Sequence, residues 1–135
     1  MLTSVLLSIR PEFADAILDG RKTYELRRRI FEKRDVHRVV IYSSSPVRRV
    51  VGEFAIEQVL ELEPKRLWRA TSGGAALSRR AFDEYFRGRD VGFALKVLRP
   101  RRFVRSHRLE AYCGLRQPPQ SFCYLGTKGT RPRLQ

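Results

Sequence analysis

Apolar residues fall into short runs and alternations separated by Gly, Pro and Ser, and each pattern predicts an element. Val5-Leu6-Leu7-Ser8-Ile9 is an apolar run of strand length, read as a buried strand. Pro11 suits the first turn of a helix, with Phe13, Ala14, Ile17 and Leu18 at helical spacing and Gly20 as its stop. Tyr24 to Phe31 predicts a strand with heavy basic decoration, and Val39-Val40-Ile41-Tyr42 a central strand that ends in the loop Ser43-Ser44-Ser45-Pro46. Val50, Gly52, Phe54 and Ile56 line one face of a long strand. Gly52 within it marks a bulge or the close approach of another backbone.

A helical stretch spans Pro64 to Ala70. A second helix is signalled by Ser78 as N-cap, Leu77 against Phe82 as a staple, Tyr85 and Phe86 facing inward, and Gly88 as C-cap. Val91, Phe93, Leu95 and Val97 alternate again, Arg101 to Leu109 reads as a basic strand or loop, and Phe122 to Leu125 as a short terminal strand. The pattern has about six strands and two to three helices, with no strand–helix–strand repetition. It predicts an α+β fold, a small mixed β-barrel with flanking helices rather than a doubly wound sheet. Residues 1–126 form one domain on this reading, and 127–135 a disordered basic tail.

Composition narrows the chemistry. A chain of 135 residues, 42% of them hydrophobic, supports one core without staples. Cys113 and Cys123 are too few for a disulfide framework or a four-ligand zinc site, and His37 and His107 stand alone. Neither a metal nor a cofactor is expected, nor a Ser-His-Asp triad. The N-terminal apolar run is too short for a signal peptide, and nothing approaches the ~20 apolar residues of a membrane span. The expected location is cytoplasmic, with no membrane contact.

The charge is the strongest compositional signal. Lys and Arg number 28 against 14 acids, a net of +14, which favours polyanionic partners through counterion release. Nine of the basic residues and one acid lie between Arg99 and Gln135, so a basic surface is expected on the C-terminal third. There Arg101, Arg102, Arg105 and Arg108 recur without compensating acids in sequence, and Arg101 and Arg102 are candidates to track a phosphate backbone.

The densest constellation is Gly20-Arg21-Lys22-Thr23-Tyr24-Glu25-Leu26-Arg27, which runs out of the first helix into a strand. On an extended chain Glu25 and Arg27 project to one side, with Lys22 in the turn before them. Such a trio offers two cationic donors and one carboxylate acceptor, suited to phosphates and base amines. On spacing alone, a solvent-facing salt bridge worth under ~1 kcal/mol is the preferred reading of Glu25. Ser43, Ser44 and Ser45 offer hydroxyls and N–H groups to a phosphate, or form a simple turn before Pro46. Tyr24, Tyr42 and Tyr124 are either base-stacking faces or core residues.

Ser8-Ile9-Arg10-Pro11, then Gly20-x-Lys22-x-x-Glu25-x-Arg27, then the serine loop and the closing Gln120-Ser121-Phe122-Cys123-Tyr124-Leu125 resemble the ASCH domain family over roughly residues 4 to 125. The resemblance implies the PUA-like barrel fold and a cleft at the helix–strand junction suited to RNA or a nucleoside. It implies ligand-binding roles for Arg10, Lys22, Tyr24, Glu25, Arg27, the serine loop and Tyr124. Some members bind nucleic acid, some are ribonucleases, and one branch hydrolyses the amide of N4-acetylcytidine. That branch has threonine, its proposed nucleophile, where this chain has Glu25. The nucleophile of that branch is thus missing while its lysine is kept as Lys22. A ribonuclease or an amidohydrolase of the N4-acetylcytidine type remains an alternative, with Asp83 and Glu84 the nearest candidates for the later glutamate. Three readings stay open: an RNA- or nucleic-acid-binding module; an enzyme acting on RNA or a modified nucleoside, with Lys22 and Glu25 as acid/base groups; and a regulator holding a small, nucleotide-like effector.

Overall fold

The computed structural model describes residues 3–126, so the expected tail at 127–135 lies outside the described residues. Strand β1 (Thr3–Ile9) leads through Arg10 into helix α1 (Pro11–Leu18). Pro11 occupies the first turn, where its missing N–H costs no hydrogen bond, and Gly20 at φ 83° lets the chain reverse. Then come β2 (Tyr24–Arg27), β3 (Val36–Ser43), β4 (Arg49–Leu62), α2 (Pro64–Thr71), α3 (Arg79–Tyr85), β5 (Gly92–His107), α4 (Leu109–Cys113) and β6 (Phe122–Leu125).

These six strands form one mixed sheet in the order β2-β5-β4-β3-β1-β6, in which only β1 and β3 run parallel. β4 and β5 are 14 and 16 residues long, and their ladder shifts register at three places. Such bulges increase local twist and let a long pair curl. The result is barrel-like but not closed by hydrogen bonds: β2 and β6 remain edges. Side chains span the gap instead. Arg27 of β2 donates to the Ser8 carbonyl of β1 at 3.4 Å and to Ser121 Oγ beside β6, while Phe31 packs edge-on against Phe122 at 5.9 Å.

Burial follows the alternation. Val5, Leu7 and Ile9 of β1, Val39 and Ile41 of β3, and Phe54 of β4 pack with Ala14 and Ile17 of α1 in the main core. Each such buried side chain contributes roughly 1.5–3 kcal/mol. The intervening residues Leu6, Val40, Tyr42 and Val50 form a second cluster on the other face, covered by Leu109 and Cys113 of α4. Leu67, Phe82 and Phe86 of the α2–α3 pair pack on Leu26 and Ala94. Ser78 caps α3 by accepting from the Ala81 N–H at 3.1 Å, as the sequence predicts.

Two elements differ from the sequence reading. β2 ends at Arg27 rather than Phe31, because its only partner, β5, begins at Gly92 and pairs Phe93 with Arg27. Beyond that register there is nothing to bond, and Phe31 turns into the main core. The basic stretch after Arg99 continues β5 to His107, and the short helix α4 follows it, a fourth helix without a strong sequence signal. Gly52 sits where the reading placed a close approach. A Cβ there would lie 2.6 Å from the Arg101 carbonyl and 2.7 Å from Leu18 Cδ2. Among the described residues no helix is long and apolar enough to cross a membrane.

Candidate active-site cavity

The gap between β2 and the β1/β6 edge opens into a cavity of about 330 Å³, at the small end of the range for ligand sites. Ser8 and Ile9 at the end of β1 line one side, with Arg10 and Phe13 at the start of α1. Lys22, Glu25 and Arg27 line another, and Leu77, just before α3, closes an apolar wall with Ala81 and Tyr85 of α3. Gln120, on the loop before β6, completes it.

Lys22 reaches the cavity because the loop after α2 clamps the entry to β2. The N–H groups of Thr23 and Tyr24 both donate to the Gly74 carbonyl, at 2.8 and 3.2 Å, and Lys22 Nζ donates to the next carbonyl, Ala75. Gly74 is required here: a Cβ would fall 1.9 Å from Thr23 Oγ1. Lys22 is only 2% exposed, with its ammonium 4.8 Å from the centre of the Phe13 ring. One hydrogen bond and one ring face replace its water shell, so burial pulls its pKa down, against the opposing charge of Glu25.

Glu25 is 5% exposed and ion-paired to Arg27 at 3.4 Å, with both side chains largely buried. Burial pushes its pKa up, and the charges of Arg27 and Lys22 oppose that rise. A buried lysine and a buried glutamate at one cavity thus have acidities driven toward each other, the arrangement expected of a proton-transfer pair. Tyr85 donates to the Leu26 carbonyl at 3.3 Å, and burial raises its pKa as well.

Of the other candidate site residues, Arg10 lines this cavity and the rest lie apart from it. Arg10 lines it with a largely exposed guanidinium that also meets Glu12 at 3.3 Å. Tyr24 packs against the α2–α3 cluster. Ser43 is buried at the end of β3, and the Ser44 N–H donates to the Ile9 carbonyl at 2.9 Å, so the serine loop braces the cavity-lining end of β1 from behind. Tyr124 belongs to the main core, its hydroxyl accepting from the N–H groups of Glu32 and Lys33 at 3.0 and 3.1 Å. Arg101 pairs with Glu53 at 3.0 Å, and Arg102 with Asp15 and Asp19 at 3.5 and 3.3 Å. These two arginines therefore have compensating acids after all, supplied by β4 and α1. Asp83 and Glu84 lie on the exposed side of α3, paired with Arg79 and Arg87. It is Ala81 and Tyr85 that α3 turns toward the cavity.

Tyr85 packs on the α2–α3 cluster, as its inward placement on the helix predicts, and also lines the cavity. The sequence pattern assigns no site role to Phe13, Ser121 or the Gly74-Ala75 carbonyls. The Gly73-Gly74 pair was the available signal for the last. Among the described residues no three His, Cys, Asp or Glu side chains are placed to share a metal ion.

A barrel-like mixed sheet with flanking helices is the fold the resemblance implied. The ASCH domain model matches residues 7–101, and the chain belongs to the ASCH domain family. It is 34% identical over 128 residues to the ASCH domain-containing ribonuclease of Zymomonas mobilis, covering 93% of this chain and 86% of that protein. The crystal structure of ASCH from Zymomonas mobilis superposes with a TM-score of 0.84 at 31% identity, over 94% of this chain and 90% of that one. The chain is also 27% identical over 122 residues to the large ribosomal subunit protein uL22 of Ureaplasma parvum, but spans only 39% of that protein's length.

Proposed function

We propose that this protein cleaves RNA, taking one nucleotide of a strand into the cavity lined by Lys22, Glu25 and Arg27. The observation that carries the reading is the pairing of a buried lysine with a buried glutamate at one cavity, their acidities shifted in opposite directions. A relative at 34% identity that is named a ribonuclease, and a net charge of +14, support RNA as the substrate.

In the proposed step, the Glu25 carboxylate takes the proton of a ribose 2′-hydroxyl. The 2′-oxygen attacks the adjacent phosphorus while the bond to the 5′-oxygen breaks. The Lys22 ammonium supplies a proton to the departing 5′-oxygen, leaving a 2′,3′-cyclic phosphate and a 5′-hydroxyl. Proton exchange with water then restores both groups. Arg27 holds the Glu25 carboxylate in place and offsets charge on the phosphoryl oxygens, and Arg10 contacts the neighbouring phosphate. The apolar wall from α3 keeps the pair poorly solvated, which strengthens each of these interactions.

The test is incubation of end-labelled RNA with the pure protein and with Lys22→Ala and Glu25→Gln, resolving the product termini. Cyclic-phosphate products lost in both variants are expected, since positioned acid/base groups each contribute roughly 100- to 10,000-fold. Cleavage unchanged in either variant removes that residue from the step. Salt-dependent RNA binding without any cleavage leaves the protein a binding module.

A further inference from the structure

The far half of β5 carries a cluster that the cavity does not use. Against β4, Val50 pairs with His107 and Gly52 with Arg102, so two steps on β4 face five on β5 and the strand bulges between. Val104 at the tip of the bulge is fully exposed. The bulge folds the ring of Phe103 back to 5.8 Å from that of His107, and Tyr112 of α4 lies 6.1 Å from Phe103 and 5.5 Å from His107. Phe103 and Tyr112 are half-buried and His107 is exposed, so the cluster presents ring surface outward. Arg101 stacks on Phe103 at 5.2 Å, and among the described residues Arg105 and Arg108 have no acidic partner within 4 Å.

We propose that Phe103, His107 and Tyr112, rimmed by Arg101, Arg105 and Arg108, form a base-stacking platform that grips an RNA strand entering the cavity. The proposal rests on the reading of RNA as substrate. Aromatic faces within a cationic rim bind single strands with little sequence preference, because every base has a face to stack and every linkage a charge. Bulges serve to re-aim side chains beside functional sites. The sheet register connects the two places: Ser8, which lines the cavity, pairs with Tyr42, Tyr42 with Val50, and Val50 with His107. Three strand spacings of about 4.8 Å, about 14 Å, separate their backbones. Because the rings pack on the second cluster while Ile9 and Phe13 of the cavity belong to the main core, a strand reaching both passes round the sheet. A short oligomer fills the cavity alone, while a longer one reaches both.

The test compares binding of a fluorescent trinucleotide and a dodecanucleotide, both 2′-O-methyl RNA so that neither is cleaved. The variants are His107→Ala, which touches an exposed side chain, Phe103→Leu, which keeps the bulk of a half-buried one, and the pair Arg105→Ala/Arg108→Ala. His107→Ala combined with Phe103→Leu is expected to weaken the dodecanucleotide by about 5- to 150-fold, the loss of one stacked base, with trinucleotide affinity unchanged. The arginine pair is expected to lower the salt slope for the dodecanucleotide by about 1–2. Equal dodecanucleotide affinity in all variants overturns the platform and leaves the cavity reading intact. Loss of dodecanucleotide affinity together with cleavage indifferent to Lys22 and Glu25 keeps the platform and overturns that reading. A native protein that binds neither oligomer overturns both.

Discussion

Arg27→Met isolates the electrostatic design of the cavity, because it removes the charge and keeps much of the stem. Arg27 donates to the Ser8 carbonyl and to Ser121 Oγ, which ties the β2 edge to the β1/β6 edge. Loss of these bonds costs about 1–2 kcal/mol at any pH. It also pairs with Glu25 at 3.4 Å. Opposite charges at that distance attract by about 5 kcal/mol at an effective dielectric of 20, and stripping one partner from a buried pair costs about 3–5 kcal/mol. Glu25 can escape that cost by holding a proton. Burial already raises its pKa above the ordinary 4.5, and Arg27 is the first of the charges that oppose the rise. Without Arg27 the folded value climbs further, so the native state keeps a proton that the unfolded chain has released. Both proteins lose stability as pH rises above 4.5. The variant loses more from the native folded value of Glu25 up to its own higher one, so its stability relative to the native sequence falls across that interval. Urea unfolding at a series of pH values should show a loss of about 1–2 kcal/mol near pH 4 growing to about 3–5 kcal/mol near pH 8. Adding Glu25→Gln should abolish the growth. A loss constant with pH, or growth that persists in the double variant, would refute the reasoning.

The pH dependence of kcat/KM should be a bell narrower than the ordinary values of 4.5 and 10.5 allow, since Glu25 is raised and Lys22 lowered. Arg27→Met should move its acidic limb upward, and limbs at the ordinary values would contradict the burial argument. Gly74→Ala forces a Cβ to 1.9 Å from Thr23 Oγ1 and should cost about 1–3 kcal/mol. Because the strain falls on the loop that offers Ala75 to Lys22, cleavage should drop more than thermal stability does, and a change in stability alone would count against the clamp. Phe82→Ala empties a fully buried site between Trp68 and Phe86 and should lower unfolding free energy by about 3–5 kcal/mol in denaturant titrations.

Much of this fold is legible in the chain because local signals agree with the tertiary outcome. Pro11 and Gly20 bracket α1, Ser78 caps α3, and the run Val39-Val40-Ile41 sits in a strand flanked on both sides. What local pattern misses depends on partners distant in sequence. β2 stops where β5 begins, and Arg101 and Arg102 find acids on β4 and α1 that no window of sequence contains. In the cavity, the alternation Glu25-x-Arg27 and the preceding Lys22 were visible, but their burial was not. Spacing alone favours a wet-surface salt bridge for Glu25 over a place in a site. The Gly74-Ala75 carbonyls, Phe13 and the α3 wall make the difference, and they come from three separate segments. The Phe103–His107–Tyr112 cluster was hidden for a similar reason: residues four apart on a regular strand do not touch, and only the bulge brings them together.

The central claim is that the cavity activates a ribose hydroxyl against its own phosphodiester. A strand with a single ribonucleotide in an otherwise deoxyribose backbone tests it most directly, beside the all-deoxy strand. One cut is expected, immediately 3′ of the ribonucleotide, ending in a 2′,3′-cyclic phosphate, with the all-deoxy strand left whole. Equal cutting of both strands would contradict it.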